Sequence, residues 1–339
     1  MSVVDTRGPR GWKIGRVAVL IPCFNEEITI GDVVRNFRAQ LPDADIYVYD
    51  NNSSDRTAEV ARGAGAVVCR ERFQGKGNVV RRMFADVEAD TYILVDGDGT
   101  YNAGSAPLLL QTYAEQRVDT VNAARLTTAQ AAYRPGHRFG NVMLTSLVGV
   151  IFGRQIKDML SGYRVFSRRF VKSFPALSRG FEIETELTIH ALELRMASCE
   201  LPTPYYPRPE GSQSKLHTIR DGWRILMTIV QLVKEERPLQ FFALVFAALA
   251  ITSIALTIPI VLTYTATGLV PRFPTAILAT GMMVLAFLSL ACGLILDTVT
   301  RGRQEMKRMQ YLSIPGPGAQ ATAESRNWST VTRDSVAKG

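Results

Sequence analysis

Short apolar blocks alternate with longer amphipathic ones along residues 17–125, and the alternation predicts strands and helices in turn. Strands are predicted for "VAVLI", "DIYVYD", "AVVC", "TYILVD" and "TVNAAR". Helices are predicted for "EEITIGDVVRNFRAQL", "SSDRTAEVARGAG" and "GNVVRRMFADVEA", which have apolar residues three and four apart or capping residues at their ends. This order predicts an α/β fold with a largely parallel sheet, whose ligands bind at the carboxyl ends of the strands.

Two charge-free segments, Phe241 to Val270 and Phe273 to Leu296, follow in the C-terminal third. Each contains about 22 apolar-dominated residues, which is enough to cross a hydrocarbon core of about 30 Å as a helix. They predict a transmembrane hairpin with spans at about 241–263 and 274–296. A buried helical hairpin of a soluble core is the alternative.

The basic residues around the spans predict a topology. Lys234 and Arg237 precede the first span, the connecting loop has Arg272, and four basic residues follow the second span: Arg301, Arg303, Lys307 and Arg308. The positive-inside rule therefore predicts an integral protein of the cytoplasmic membrane with both ends in the cytoplasm.

The segment 217–238 has apolar residues at helical spacing and charges at both ends, which predicts a helix lying on the membrane surface. An amphipathic helix of a soluble core is the alternative. The expected order is a flexible leader at 1–15, a catalytic domain at 16–216, the interfacial helix at 217–238, the two spans within 239–298, and a basic, partly disordered tail at 299–339.

The composition excludes several classes of protein. The net charge of +8 fits nucleic acid, anionic lipid or phosphorylated substrates. The Lys and Arg residues are dispersed or flank the apolar spans, without aromatic interleaving, which argues against nucleic-acid binding. Four cysteines without a CxxC pair, and three histidines, argue against a zinc site or a disulfide framework. The N-terminus lacks the apolar region of a secretory signal.

Two carboxylates follow the fourth predicted strand in "ILVDGDGTYN". Asp96 and Asp98 are two residues apart, so in an extended chain they point to the same side, and the glycines let the backbone curl around a ligand. Such oxygen ligands suit Mg²⁺ or Mn²⁺ held together with substrate phosphates. An acidic turn without a ligand is the alternative. The chain has neither a P-loop nor a GxGxxG dinucleotide fingerprint.

Six segments in order resemble family 2 glycosyltransferases of the GT-A fold: "IPCFNEE", "VYDNNSSDRT", "DGDGTY", "DMLSGYRVFSRRF", "GFEIETEL" and "PRPEGSQSKLHTIRDGWRIL". The resemblance is to the dolichol-phosphate mannosyltransferase and bacterial polyprenyl-phosphate glycosyltransferase group, and it covers about residues 15–235. It implies a Rossmann-like catalytic domain with a membrane anchor, and a divalent metal as cofactor.

For the donor, the resemblance implies that the nucleotide contacts Pro22, Phe24, Glu26, Asp50, Lys76 and Asp96. Asp96 and Asp98 match the metal-binding pair, with Asp98 in direct contact with the metal. The sequence departs from the family at Phe24, where Tyr is frequent, at Asn51, where a second Asp is usual, and at Thr100, where Gln often adds a ligand.

For the phosphates and the acceptor, the resemblance implies contacts with Arg125, Arg138, Ser161, Arg164, Arg208, Ser214 and Lys215. The last three lie in a loop that can close over the donor diphosphate. Asp98, Asp158 and Arg138 are the expected catalytic residues, and Asp158 is either a base or an orienting group. Glu184 and Glu186 are two residues apart, so one of them faces the site if that segment is helical.

The implied reaction is an inverting transfer of a hexose from a UDP- or GDP-sugar to a polyprenyl phosphate, at the cytoplasmic face of the membrane. One alternative is a family 2 enzyme with a hydroxyl acceptor on a glycan or lipid, which would need a general base. Another is a non-catalytic membrane protein that binds nucleotide sugar. The sequence leaves the sugar, the lipid length and the oligomeric state open, a homo-oligomer included.

Overall fold

The computed structural model describes residues 7–8, 12–126, 158–178, 182–208 and 237–317, with isolated positions between these ranges. The chain forms two compact units, Met1–Gly222 with Lys307–Gly339, and Trp223–Met306. Most of the predicted interfacial helix, the end of the tail, and Arg138, Ser214 and Lys215 lie outside the described residues.

The first unit is built on a seven-stranded mixed sheet, preceded by a two-residue antiparallel ribbon of β1 (Arg7–Gly8) and β2 (Trp12–Lys13). The sheet contains β3 (Val17–Cys23), β4 (Asp45–Asp50), β5 (Val67–Arg70), β6 (Thr91–Leu94), β7 (Thr120–Leu126), β8 (Arg164–Ser167) and β9 (Ser198–Pro204). Its order is β5-β4-β3-β6-β8-β7-β9. All five strands predicted from the pattern are present, and the pairs among β5, β4, β3 and β6 are parallel.

The sheet departs from a purely parallel arrangement at β8, which runs antiparallel to both β6 and β7. Strand β7 ends at Leu126 and β8 begins only at Arg164, a separation in sequence long enough for β8 to run in the opposite direction. The predicted strands all lie within residues 17–125, so neither β8 nor β9 is among them. Strand β9 lies parallel to β7.

Helices cover both faces of the sheet. They are α1 (Ile30–Gln40), α2 (Thr57–Gly63), α3 (Lys76–Asp86), α4 (Ala106–Gln116), α5 (Arg168–Ser173) and α6 (Ile183–Glu193). The three predicted helices appear as α1, α2 and α3, and α1 buries the predicted face of Ile30, Val33, Val34 and Phe37. The segment of α4 had not been predicted.

Alternate residues of β3 enter two separate cores. Val19 and Ile21 pack with α1 and α4, whereas Ala18 and Leu20 pack with α3, α5 and α6. Successive strand residues point to opposite faces, and helices cover both, so the strand is apolar throughout. The result is a three-layer helix–sheet–helix domain.

Strand β3 is also where the order of the sheet reverses, because the chain adds β4 and β5 on one side and β6 on the other. The carboxyl ends of β3 and β6 therefore border a crevice of the kind that binds ligands in α/β sheets.

The second unit contains α7 (Pro238–Thr267) and most of α8 (Phe273–Ser313), two helices long and apolar enough to cross a membrane. Both extend beyond the spans predicted from the sequence. The Ser253 hydroxyl donates to the carbonyl of Ala279 at 2.7 Å. Small or short side chains of α8 are buried at seven-residue intervals, at Ala279, Ala286, Gly293 and Thr300. Such spacing keeps one seam facing a neighbouring helix, as expected for a transmembrane hairpin.

Candidate active site

The loops that follow β3 and β4 are joined by hydrogen bonds at the carboxyl edge of the sheet. The backbone N–H of Asn25 donates to the Ser53 hydroxyl at 2.9 Å, and the N–H of Glu26 donates to the Thr57 hydroxyl at 2.8 Å. Pro22 is buried inside β3, opposite β4, and the half-buried Phe24 and Glu26 come directly after it. The predicted donor-binding segment is thereby fixed beside the end of β4.

Strand β4 ends at the buried Asp50, and the next residue, Asn51, organises the loop 71–75. The Asn51 amide donates to the carbonyl oxygens of Glu71 and Phe73 at 3.1 and 2.8 Å, and its oxygen accepts from the N–H of Gly75 at 2.7 Å. The sequence does not predict this role for Asn51, which appears there only as a departure from the family resemblance. Its amide, a donor and an acceptor in one side chain, was the available signal.

The acidic turn at residues 96–100 packs closely against the loop after β3. The Thr29 hydroxyl donates to the carbonyl of Gly97 at 2.7 Å, and a Cβ atom at Gly97 would collide with the side chains of Glu26 and Cys23. Gly99 has a φ of +73°, a left-handed conformation that favours glycine. The two glycines thus serve close packing and a tight turn.

Asp96 forms an ion pair with Lys76, the first residue of α3. The Lys76 ammonium lies 2.5 Å from Asp96 Oδ1 and 2.5 Å from Glu184 Oε1, and its side chain is buried. Burial by itself lowers the pKa of Lys76, but the two carboxylates raise it well above its ordinary value. Lys76 is therefore a permanent cation that links the acidic turn to α6.

Glu184 and Glu186 lie in the first turn of α6 and point in different directions, which answers the question that the sequence left open. Glu184 is buried against Lys76, whereas Glu186 accepts hydrogen bonds from the backbone N–H groups of Leu177 and Ser178 at 2.9 and 2.8 Å. Glu184 is the one that faces the acidic turn. Glu186 supports the loop before the helix.

Asp98 has partners of its own. Its Oδ1 accepts from the N–H and the hydroxyl of Thr100, at 3.1 and 2.6 Å, and its Oδ2 lies 2.7 Å from the Arg208 guanidinium. The Asp98 side chain is 5% exposed. Thr100 therefore orients Asp98, and the two carboxylates of the turn have different cationic partners.

The chain that leads to Arg208 is attached to the acidic turn. Tyr205 forms an isolated antiparallel bridge with Tyr101, and the N–H of Tyr206 donates to the carbonyl of Thr100 at 2.9 Å. The Tyr101 hydroxyl accepts from the N–H of Gly162 at 2.8 Å. Segments distant in sequence thus converge on this turn.

Arg125 and Asp158 form a two-pronged ion pair at the end of β7. Nε and Nη2 of Arg125 lie 2.7 and 2.8 Å from the two carboxylate oxygens, and the Arg125 N–H donates to the same group. Burial by itself raises the pKa of Asp158, but the Arg125 guanidinium outweighs burial and lowers that pKa below its usual range. The guanidinium also lies over the Tyr205 ring, 5.5 Å from its centroid.

Ser161 and Arg164 are buried beside this pair and have protein partners. The Ser161 hydroxyl donates to the carbonyl of Ala123 at 2.6 Å. The Arg164 guanidinium donates to the Thr188 hydroxyl at 2.8 Å and to the carbonyls of Ser161 and Met159. Both residues hold the turn that carries Asp158, and neither presents a solvent-facing group to a phosphate.

The acidic turn supplies few protein ligands for a metal. Among the described residues, no group of three or more His, Cys, Asp or Glu side chains is arranged to hold a cation. The possible ligands are the buried carboxylate of Asp98 and, two residues away, that of Asp96. Asp98 Oδ2 already faces the positive charge of Arg208. Such a set fits an oxygen-seeking ion that takes its remaining ligands from a diphosphate and water.

Comparisons with known proteins bear on the family and the fold. Residues 18–174 match the family described as Glycosyl transferase family 2. The glycosyltransferase AglJ of Haloferax volcanii is 33% identical over 87% of this chain and 98% of its own length. A dolichyl-phosphate hexose transferase of the same organism is 27% identical, over 65% of this chain and 95% of its own length. An uncharacterised Shigella flexneri protein is 59% identical over 46% of this chain and 95% of its own length.

A solved structure shares the fold. Glucosyl-3-phosphoglycerate synthase of Mycobacterium tuberculosis, in complex with Mn²⁺, UDP-glucose and phosphoglyceric acid, superposes with a TM-score of 0.53 at 21% identity, over 67% of this chain and 84% of its own. The likeness confirms the predicted GT-A fold. The acidic turn lies beside the point where the order of the sheet reverses, and AglJ is matched over nearly its whole length. The chain therefore belongs to glycosyltransferase family 2 and is an enzyme of that class.

Proposed function

We propose that this enzyme transfers a sugar from a nucleotide-sugar donor to a polyprenyl phosphate at the cytoplasmic face of the membrane. The observation that carries the proposal is the buried Asp98 paired with Arg208 at the carboxyl end of β6, in a chain that also contains two helices of membrane-spanning length. The similarity to a dolichyl-phosphate hexose transferase supports a lipid-phosphate acceptor.

The donor nucleotide is assigned to the edge formed by the ends of β3 and β4. Phe24, Glu26 and Asp50 contact the nucleoside, and Asn51 keeps the adjacent loop in place. Asp98, supported by Asp96, would hold Mg²⁺ or Mn²⁺ with the donor diphosphate, and the ion would supply positive charge for the departing diphosphate. The Mn²⁺ and UDP-glucose bound by the mycobacterial synthase support this assignment.

Arg208 adds positive charge beside the acidic turn, which favours charge building on a leaving diphosphate, and Lys76 holds Asp96 in place there. Arg125, held by Asp158, is assigned to the acceptor phosphate, together with Arg138. The acceptor oxygen attacks the anomeric carbon while the bond to the diphosphate breaks, so that the configuration inverts. Ser161 and Arg164 position Asp158 rather than contact the phosphate.

A phosphate acceptor agrees with the state of Asp158. A phosphate monoester has a second pKa of about 6 and is largely ionised near neutral pH, so it needs no base. Asp158 is tied to Arg125 and its pKa is low, which makes it a poor proton acceptor near neutral pH. We therefore assign it an orienting role. A hydroxyl acceptor would require a base that this pair does not provide.

The test uses the full-length protein in detergent with Mn²⁺, polyprenyl phosphate, and labelled UDP- and GDP-hexoses in turn. We expect a lipid-extractable labelled product that mild acid releases, because a glycosyl phosphate is acid-labile whereas an ordinary glycoside is not. Asp98→Asn should lower transfer at least about 100-fold, the scale of losing a charge-stabilising group. Asp43→Asn is the matched control, since Asp43 is exposed and precedes β4 at the opposite edge.

Two results would contradict the proposal. Full transfer by Asp98→Asn would remove the acidic turn from the reaction. An acid-stable product, formed with a hydroxyl acceptor and not with polyprenyl phosphate, would replace the lipid phosphate with the alternative acceptor class.

A further inference from the structure

Asp98 already has a cation in this structure, and that cation belongs to the chain. Arg208 lies 2.7 Å from Oδ2, while Thr100 occupies Oδ1 with two hydrogen bonds. A carboxylate that is 5% exposed is strongly destabilised without a compensating charge. The guanidinium supplies that charge on the oxygen that a metal ion would use.

The backbone next to Arg208 is fixed, so the side chain can exchange partners without a large rearrangement of the turn. Tyr205 bridges Tyr101 and Tyr206 donates to Thr100, and the intervening Pro207 has a restricted φ. The Arg208 side chain is 32% exposed and has several rotatable bonds. It can therefore leave Asp98 while its backbone stays beside the acidic turn.

A metal ion and a guanidinium cannot share Oδ2 at low cost. Two positive charges a few ångströms apart near a protein surface repel each other, and a divalent ion is repelled more strongly than a single charge. A donor diphosphate changes this balance, because a guanidinium binds phosphate oxygens in the same two-pronged manner as it binds a carboxylate. Arg208 then has an anionic partner to which it can move.

We propose that Arg208 is an internal substitute for the metal in the ligand-free enzyme, and that it transfers from Asp98 to the donor diphosphate when metal and nucleotide bind. This inference rests on the proposed metal–nucleotide site. Arg208 thereby couples the two ligands: each binds weakly alone and favours the other. Such coupling is reciprocal, so metal and nucleotide must raise each other's affinity by the same factor.

The test measures binding, not turnover. Mn²⁺ is titrated into the detergent-solubilised full-length protein, and free Mn²⁺ is measured by its EPR signal, without nucleotide and then with saturating UDP or GDP. For Arg208→Gln without nucleotide we expect Mn²⁺ to bind about tenfold more tightly than in the wild type, a difference of about 1.4 kcal/mol. With Mn²⁺ present, the same variant should bind the nucleoside diphosphate about tenfold more weakly.

Opposite changes for two ligands distinguish this role from a purely diphosphate-binding arginine, which would leave Mn²⁺ affinity without nucleotide unchanged. Arg208→Lys should lie between the wild type and Arg208→Gln, because it keeps the charge and loses the two-pronged geometry. Arg168→Gln, which removes an arginine paired with Glu88, is the matched control and should change neither affinity. The tighter Mn²⁺ binding of Arg208→Gln should persist in about 1 M salt, where the Debye length is about 3 Å and distant charges are screened.

Adding Asp98→Asn to Arg208→Gln should abolish the tighter Mn²⁺ binding, which places that binding at Asp98. The inference is overturned if Arg208→Gln, folded by its thermal unfolding curve, binds Mn²⁺ without nucleotide no more tightly than the wild type. A wild type that binds no Mn²⁺ with either nucleotide would overturn the proposed site as well.

Discussion

At the scale of single residues, the three aspartates of the site have different basic partners. Asp96 contacts Lys76, Asp98 contacts Arg208, and Asp158 contacts Arg125. The pairs are formed inside the protein, where a carboxylate without a partner is costly. These pairs keep the three aspartates charged. A ligand that binds one of these aspartates must displace its basic partner.

Asp158 allows a prediction about pH. The pKa of Asp158 is lowered in the folded protein, so the carboxylate stays ionised from neutral pH down to about 4, the ordinary pKa of an aspartate. The stability that its ion pair contributes is lost only as the pH falls through the lower pKa of the folded state. We expect kcat/KM for polyprenyl phosphate to fall below about pH 6, where the acceptor phosphate becomes protonated. Asp158→Asn should lower kcat without changing the pH at which kcat/KM falls.

The pH–rate profile of both proteins checks this, with Asp158→Glu as the conservative variant. If Asp158 acted as a general base, its replacement by Asn would abolish or shift the acidic limb. That result would reassign Asp158 and would favour a hydroxyl acceptor.

At the scale of elements, the site is assembled from the loops after the strands, and hydrogen bonds between those loops keep them in place. The loop after β3 is bonded to the loop after β4, which in turn holds the loop after β5 through Asn51. Strand ends position the polar groups, and these cross-links reduce the freedom that the groups would lose when a nucleotide binds.

Asn51→Asp tests this role, because it replaces the amide with a carboxylate of nearly the same size and shape. An aspartate has no N–H to donate, so its oxygens would face the carbonyls of Glu71 and Phe73. We expect KM for the nucleotide sugar to rise about tenfold, the effect of losing one to two hydrogen bonds, with a smaller change in kcat. Asn51→Ala should resemble it. Asn102→Asp is a control, since the Asn102 side-chain oxygen accepts from the N–H of Gly104, as a carboxylate oxygen also can. Improved donor binding by Asn51→Asp would contradict the assignment.

At the scale of the whole molecule, the last part of α8 belongs to the catalytic unit. Lys307 lies 2.7 Å from Glu193, and the Tyr311 hydroxyl donates to Asp119 at 2.8 Å. The side chains of Glu193 and Asp119 are almost fully buried, and Asp119 also binds Arg169. The chain thus returns to the first unit after the hairpin and completes it.

Lys307→Met should therefore destabilise the catalytic unit, because it leaves Glu193 buried without its cation. Breaking a buried ion pair costs about 3 to 5 kcal/mol, which is expected to lower the melting temperature in detergent by several degrees. The neighbouring exposed Arg308 provides the control, as Arg308→Met should have little effect. The double change with Glu193→Leu should recover part of the loss, and equal melting temperatures for Lys307→Met and the wild type would contradict the prediction.

The sequence by itself determined the parallel half of the sheet, the acidic turn and the two apolar helices. Each of these depends on local order: apolar residues in short runs, helical spacing, or charge-free length. The family resemblance added the candidate site residues, and the comparisons confirmed the family and the fold.

Only the tertiary structure decided the reversed strand β8, the partners of the acidic residues, and the return of α8 to the first unit. Lys76 and Glu184 are 108 residues apart, and Lys307 and Glu193 are 114 apart. Such pairs depend on how distant elements pack, and a local pattern contains no information about that. The choice between Glu184 and Glu186 likewise became clear only once α6 was packed against Lys76, since a helix directs residues two apart to different sides.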